Sequence, residues 1–174
     1  MTEFRSLKSL TENRFLKTST TVKADVEMLE FAIAQYHAAF EKLKEVTNIL
    51  FSITLEAIPT SLIEQSIAKG RNATGLRPMD GPLVVILFYS SWDSSGDDDK
   101  VFAANKEVLA AIEKESQSKG LFAPFVYLNY AWEHQDPISG YGEDIKLRLQ
   151  AVSKKYDPDG FFQVAGAGPF KLFK

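Results

Sequence analysis

Cysteine is absent from this chain of 174 residues. That absence excludes disulfides, thiolate metal ligands, a cysteine nucleophile and any cysteine-linked cofactor. Histidine is nearly absent too, with only His37 and His134. Neither has a second histidine or carboxylate at ligand spacing, so surface roles are expected and no metal site is read. Charge of one sign is also lacking. A net charge of −3 gives no electrostatic reason to expect nucleic acid or an anionic membrane as partner. No apolar run approaches the roughly 20 residues of a membrane span. The opening stretch MTEFRSLKSLTENRF has neither the apolar region nor the cleavage site of a secretory signal. The expectation is a cytoplasmic protein in which the sequon Asn72-Ala73-Thr74 is incidental.

Aromatic side chains, by contrast, are plentiful: 13 Phe, 6 Tyr and 2 Trp. With 45% hydrophobic and 25% charged residues, the composition is that of one globular domain with a proper core. The stretch FLKTSTTV at residues 15–22 is rich in Thr and Val, as strands prefer. A helix is predicted from Ala24-Asp25 to about Val46, with Leu29, Ile33, Tyr36, Phe40 and Leu43 on one stripe. ILFSITLEA at 49–57 alternates, placing Ile49, Phe51, Ile53 and Leu55 on one side and Ser52, Thr54 and Glu56 on the other. A short helix from Pro59-Thr60 to Gly70 and a long Gly/Pro loop follow. LVVILFYSSW at 83–92 reads as a central strand covered on both faces. Asp97, Asp98 and Asp99 suit the start of a helix over 101–119 that ends at Gly120. FVYLNYA at 125–131 predicts a fourth strand, and residues 143–155 a last helix. This order predicts an α+β domain: an antiparallel sheet of about four strands with helices on one face, in ferredoxin-like style. Residues 1–14 are read as an extension and 156–174 as an irregular tail of the same single domain.

VYLNYAWEHQDPISGYGEDIKLRLQAVSKKYDPDGFFQ at 126–163, with DGPLVVILFYSSW upstream, resembles the C-terminal part of fungal berberine-bridge-enzyme-like oxidases, flavoproteins of the vanillyl-alcohol-oxidase class. The likeness runs from about Phe15 to Leu172. It implies a substrate domain and closing tail, with no counterpart here of the family's N-terminal flavin-binding domain. AGAG near the C-terminus precedes Pro169 and no helix, which is not the context of a dinucleotide fingerprint. No cofactor is therefore expected. The resemblance also implies that the sheet face away from the helices lines a substrate pocket. An uncovered apolar face is an association site, so a second copy, a rearranged N-terminal segment or a hydrophobic ligand is expected over it. A homodimer is the commonest solution.

On that face Glu56, Ser52 and Thr54 are candidates, Glu56 as acid, base or hydrogen-bond donor. The alternative is a solvated strand-end glutamate. Tyr127 and Asn129 are expected on one face of the fourth strand, beside the pocket, with Tyr130 on the other. They are read either as donors to a substrate carbonyl or as structural groups. Tyr89, Ser91 and Trp92 are pocket-mouth candidates, with core packing as their alternative. The function expected is a non-redox, cofactor-independent cyclase acting on a hydrophobic polyketide-type intermediate, by Diels–Alder or related ring closure or by isomerisation. The alternatives are a binding or accessory subunit of a full-length oxidase, and a fragment of one.

Overall fold

The computed structural model describes residues 14–70, 72–166 and 168–173. The expected N-terminal extension lies outside them, save for Arg14, which opens the first strand. The elements are β1 (Arg14–Lys23), α1 (Val26–Leu43), β2 (Leu50–Ile58), α2 (Thr60–Ala68), β3 (Leu83–Trp92), α3 (Asp98–Ser118), β4 (Phe122–Ala123), α4 (Pro137–Gly140), α5 (Glu143–Tyr156) and α6 (Phe161–Ala165). The sheet order is β2-β3-β1-β4, and every neighbouring pair is antiparallel. β3 lies between β1 and β2, and β1 between β3 and β4. The chain thus forms two interlocked split βαβ units, the expected α+β architecture.

Register assigns every strand residue to a face. Leu16, Thr18, Thr20 and Val22 of β1 pair with Ser90, Phe88, Ile86 and Val84 of β3. Phe51, Ile53 and Leu55 of β2 pair with Ser90, Phe88 and Ile86 from the other side. This face meets α1 and α3 and holds the main core, with Phe51 and Phe88 stacked at 5.9 Å. Asp25 caps α1, its carboxylate accepting from the Met28 amide at 2.9 Å. The α1 stripe is turned slightly from the expected one. Met28, Ala32, Ala39 and Leu43 are buried, Leu29, Tyr36 and Phe40 pack beside them, and Ile33 is 39% exposed. Alanine carries little weight in a periodicity reading, yet it occupies the inner face here. Asp98 opens α3 as anticipated, and it also accepts from Trp92 Nε1 at 2.8 Å and pairs with the Arg14 guanidinium.

The fourth strand is a correction. β4 is only two residues long, pairing Phe122 and Ala123 with Val22 and Thr21. Residues 125–131 form an extended segment and a 3-10 turn at Leu128–Tyr130. Pro124 follows β4 and has no N–H to continue the ladder. The β1 edge is satisfied instead by a side chain. Gln135 Nε2 donates to the Ser19 carbonyl at 2.7 Å, and its Oε1 accepts from the Ser19 amide at 3.3 Å and the Thr18 hydroxyl at 3.0 Å. α4 then folds back so tightly that a Cβ on Gly140 would lie 2.3 Å from the Pro124 carbonyl oxygen.

This returning segment and α2 roof part of the second sheet face. Leu83, Val85, Leu87, Ser19 and Thr21 are buried there. Any cover from the N-terminal segment falls outside the described residues. The tail is not wholly irregular, because Asp157 accepts from the amides of Phe161 and Phe162 at 2.8 and 3.0 Å and so starts α6.

Glu113 of α3 supplies a stability prediction. Burial pushes its carboxyl above the ordinary 4.5, and a hydrogen bond with Thr20 pulls the other way. The folded state therefore holds its proton to higher pH than the unfolded chain. Stability falls as pH rises from the unfolded value through the folded one, then levels. Glu113→Gln is expected to unfold at higher urea than wild type at pH 7, with the gain gone at pH 4. Equal midpoints at pH 7 would refute this.

Candidate functional site

A half-open pocket of about 360 Å³ lies where the end of β2, α2, the loop after it and the extended segment meet over β3. Its wall is mainly apolar, from Ile58, Leu62, Ile63, Leu76, Val85 and Phe125. Glu56 and Tyr127 bring polar atoms to that wall. The loop is held by Asn72, whose Nδ2 donates to Ser66 Oγ at 3.2 Å and the Leu76 carbonyl at 3.0 Å. Its Oδ1 accepts from the Thr74 amide and hydroxyl at 3.0 and 2.9 Å. The sequon asparagine is thus spent on loop structure. At Gly75 a Cβ would sit 2.1 Å from the Tyr141 carbonyl oxygen, and φ is +76°. Only glycine lets the loop approach the end of α4 this closely.

Glu56 sits on the second face, beside Val85. Its Oε1 accepts from the Tyr130 hydroxyl at 3.0 Å. The 3-10 turn places Tyr127 and Tyr130 edge to face with ring centroids 4.9 Å apart. The expectation that they occupy opposite strand faces is therefore corrected. Residues three apart eclipse one another in a 3-10 turn, so both reach the Glu56 region. Asn129 is exposed, and its Nδ2 donates to the Tyr127 hydroxyl at 2.9 Å. With that oxygen already accepting, the Tyr127 proton remains available for the pocket. The Glu56 hydrogen bond, then burial, then the Glu56 charge raise the Tyr130 hydroxyl above its ordinary 10.0, so it stays a donor at neutral pH. Lys17 lies 5.5 Å from the Tyr130 ring centre.

The remaining candidates separate by register. Ser52 pairs with Tyr89, Thr54 with Leu87, and Ser91 with Leu50, all on the Glu56 face but beyond the pocket wall. Trp92 is on the helix face, 2% exposed, with Phe102 edge-on at 5.8 Å. It is a core residue rather than part of a pocket mouth. Sequence reading missed Phe125 and the α2 residues Leu62, Ile63 and Ser66. Their signal was an apolar pair and a small polar residue one turn apart. Among the described residues no group of three or more His, Asp or Glu could hold a metal ion. No described helix is long and apolar enough to cross a membrane.

Fold and pocket define an α+β domain with Glu56 and Tyr127 in a mainly apolar cleft. Comparison with known proteins adds that the chain is a partial relative of larger fungal proteins named as FAD-dependent. It is 34% identical over 160 residues to an FAD-dependent monooxygenase of Cochliobolus heterostrophus, a match spanning 89% of this chain and 31% of that protein. Against an FAD-dependent monooxygenase of Aspergillus calidoustus, identity is 32% over 166 residues, 92% of this chain and 31% of the relative. A bifunctional solanapyrone synthase of Alternaria solani shares 33% over 136 residues, 78% and 26% respectively. The chain spans between about a quarter and a third of these relatives' length. No family model matches it, and no solved structure does.

A whole FAD is not matched by the side chains that line the Glu56 pocket. Its diphosphate needs cationic side chains or helix N-termini free of negative charge. No Lys or Arg lines the Glu56 pocket. α1, α3 and α5 open on Glu27, on Asp98 and Asp99, and on Glu143 and Asp144, whereas α2, α4 and α6 have no acidic residue in the first turn.

Proposed function

We propose that this chain is the substrate-holding part of a berberine-bridge-type oxidase put to non-redox use, as a cyclase or isomerase in fungal specialised metabolism. Its substrate is a hydrophobic, polyketide-type intermediate with a conjugated carbonyl. One observation carries the reading: an acceptor, Glu56, and a donor, Tyr127, share the wall of a mainly apolar pocket. In an intramolecular Diels–Alder closure two carbon–carbon bonds form within one molecule, and no atom or electron is gained or lost. Confining diene and dienophile removes much of the entropic barrier, up to roughly 7–11 kcal/mol in favourable cases. A Tyr127 hydrogen bond to the dienophile carbonyl lowers the barrier further. For a double-bond shift, Glu56 takes a proton from the carbon chain and returns it further along. The relative named bifunctional solanapyrone synthase supports a biosynthetic reading.

The test incubates purified protein with a linear chain bearing a diene and an unsaturated carbonyl. A faster reaction or a changed diastereomer ratio is expected, and the buffer rate and ratio would overturn the reading. An accessory role beside a full-length oxidase is a second reading, favoured by the exposed Phe161, Phe162 and Val164. Ligand binding without turnover would select it.

A further inference from the structure

Among the described residues β2 is an edge strand paired with β3 alone. Protein edges are ordinarily blunted by Lys, Pro or a bulge. LFSITLEAI has no Lys, no Pro and a single charge, and its pairing with β3 runs unbroken from Leu50 to Ile58. Odd residues of β1 bond outward, as Ser19 shows, so its even residues bond β3. By the same alternation the even residues of β2 bond β3 and the odd ones face outward. The Tyr36 hydroxyl donates to the Phe51 carbonyl at 3.0 Å. Among the described residues nothing takes the outward amides and carbonyls of Ile53 and Leu55.

We propose that this edge pairs with the same edge of a second copy, antiparallel about a two-fold axis at Thr54. The strand is self-complementary in that register. Leu50 meets Ile58 of the partner subunit, Ser52 meets Glu56 of the partner subunit, Ile53 meets Leu55 of the partner subunit, and Thr54 meets its own copy. Apolar groups oppose apolar groups and the one carboxylate opposes a hydroxyl, which is the pattern cross-strand pairing favours. Sliding by two residues in one direction would set Glu56 against Leu50, and in the other Ser52 against Ile58. Ile53 and Leu55 would then exchange about four ladder hydrogen bonds. The two second faces become continuous. Leu50 and Ser52 of the partner subunit then border the pocket that contains Glu56 and Ile58, so each copy completes the other's site. The pairing depends on strand chemistry and not on what the pocket does. Its failure would leave the cyclase reading intact, and the reverse also holds.

Because the chain has no cysteine, single-cysteine variants read the register directly. Residue 54 faces its copy at a non-hydrogen-bonded position, with Cα atoms about 4.5 Å apart, within disulfide range. Under mild oxidation Thr54→Cys should give mostly linked dimer, and Ser52→Cys at least about tenfold less. By light scattering, wild type should show twice the chain mass. Leu55→Pro removes an outward amide and spares the β3 ladder, and it should show the mass of one chain with its circular dichroism kept. Should Leu55→Pro fail to fold, Thr54→Lys at an exposed position sets two cations face to face and should give the same result. A wild-type mass of one chain at about 100 µM, or equal cross-linking at 52 and 54, would overturn the proposal.

Discussion

Glu56→Gln is expected to lower turnover of a conjugated substrate by about 10²-fold while leaving ligand affinity within a few-fold of wild type. Tyr127→Phe should lower it by about the same factor, which is what loss of a single preorganised donor costs in other enzymes. Both substitutions keep the shape of the pocket wall and remove one polar function. Apolar contacts from Ile63, Leu76, Val85 and Phe125 bind ground and transition states alike, so they govern KM. A donor aimed at developing charge acts on kcat. A fall in kcat at constant KM is therefore the signature of the proposed chemistry. Tyr130→Phe should show a smaller fall, because Tyr130 holds Glu56 through one hydrogen bond and has no other part in the scheme. Progress curves for the three variants, with urea midpoints to show that each is folded, check the set. Unchanged kcat in both Glu56→Gln and Tyr127→Phe would remove the catalytic reading and leave a binding protein.

The parts of this site differ in how far sequence revealed them. Glu56 was legible because β2 alternates strictly and one face is buried, so parity alone sent it to the second face. β3 was legible as an element. Yet a strand apolar on both sides gives no parity signal, and only the pairing with β1 and β2 shows that Tyr89 and Ser91 face one way and Trp92 the other. FVYLNYA misled because period-two patterning describes any extended segment that lies over a core. Whether such a segment joins a sheet depends on a free partner edge. Here that edge is taken at Ser19 by the Gln135 amide, 116 positions along the chain, and no local pattern announces it. The same long-range contact decides that Tyr127 and Tyr130 lie in a 3-10 relation and meet. Loop 72–76, the pocket's outer wall, depends on the Asn72 network and on Gly75. Asn-x-Thr and Gly were visible as turn chemistry, but their partner at Tyr141 was not.

The deepest stability effect is expected on the opposite sheet face. Phe88 is fully buried; it lies between Ile53 and Thr18 in the sheet and is stacked on Phe51. Phe88→Ala should cost about 3–5 kcal/mol, because the ring's transfer energy is lost and a cavity is left between sheet and helices that cannot collapse. Against a typical total of about 5–15 kcal/mol, that change alone leaves the domain marginal. Val85, three positions earlier, faces the pocket. Its truncation enlarges an opening that already exists, so its cost should be well below that of Phe88. The parity of β3 thus separates two properties: even positions hold the fold together and Val85, on the odd face, shapes the site. At a temperature where Phe88→Ala remains folded, its pocket should bind an apolar ligand as wild type does, whereas Val85→Ala should alter affinity with little loss of stability. Urea unfolding and ligand titration on the two variants measure both quantities. A cost below about 1 kcal/mol for Phe88→Ala, or a loss of binding greater than that of Val85→Ala, would show that the two faces are not independent.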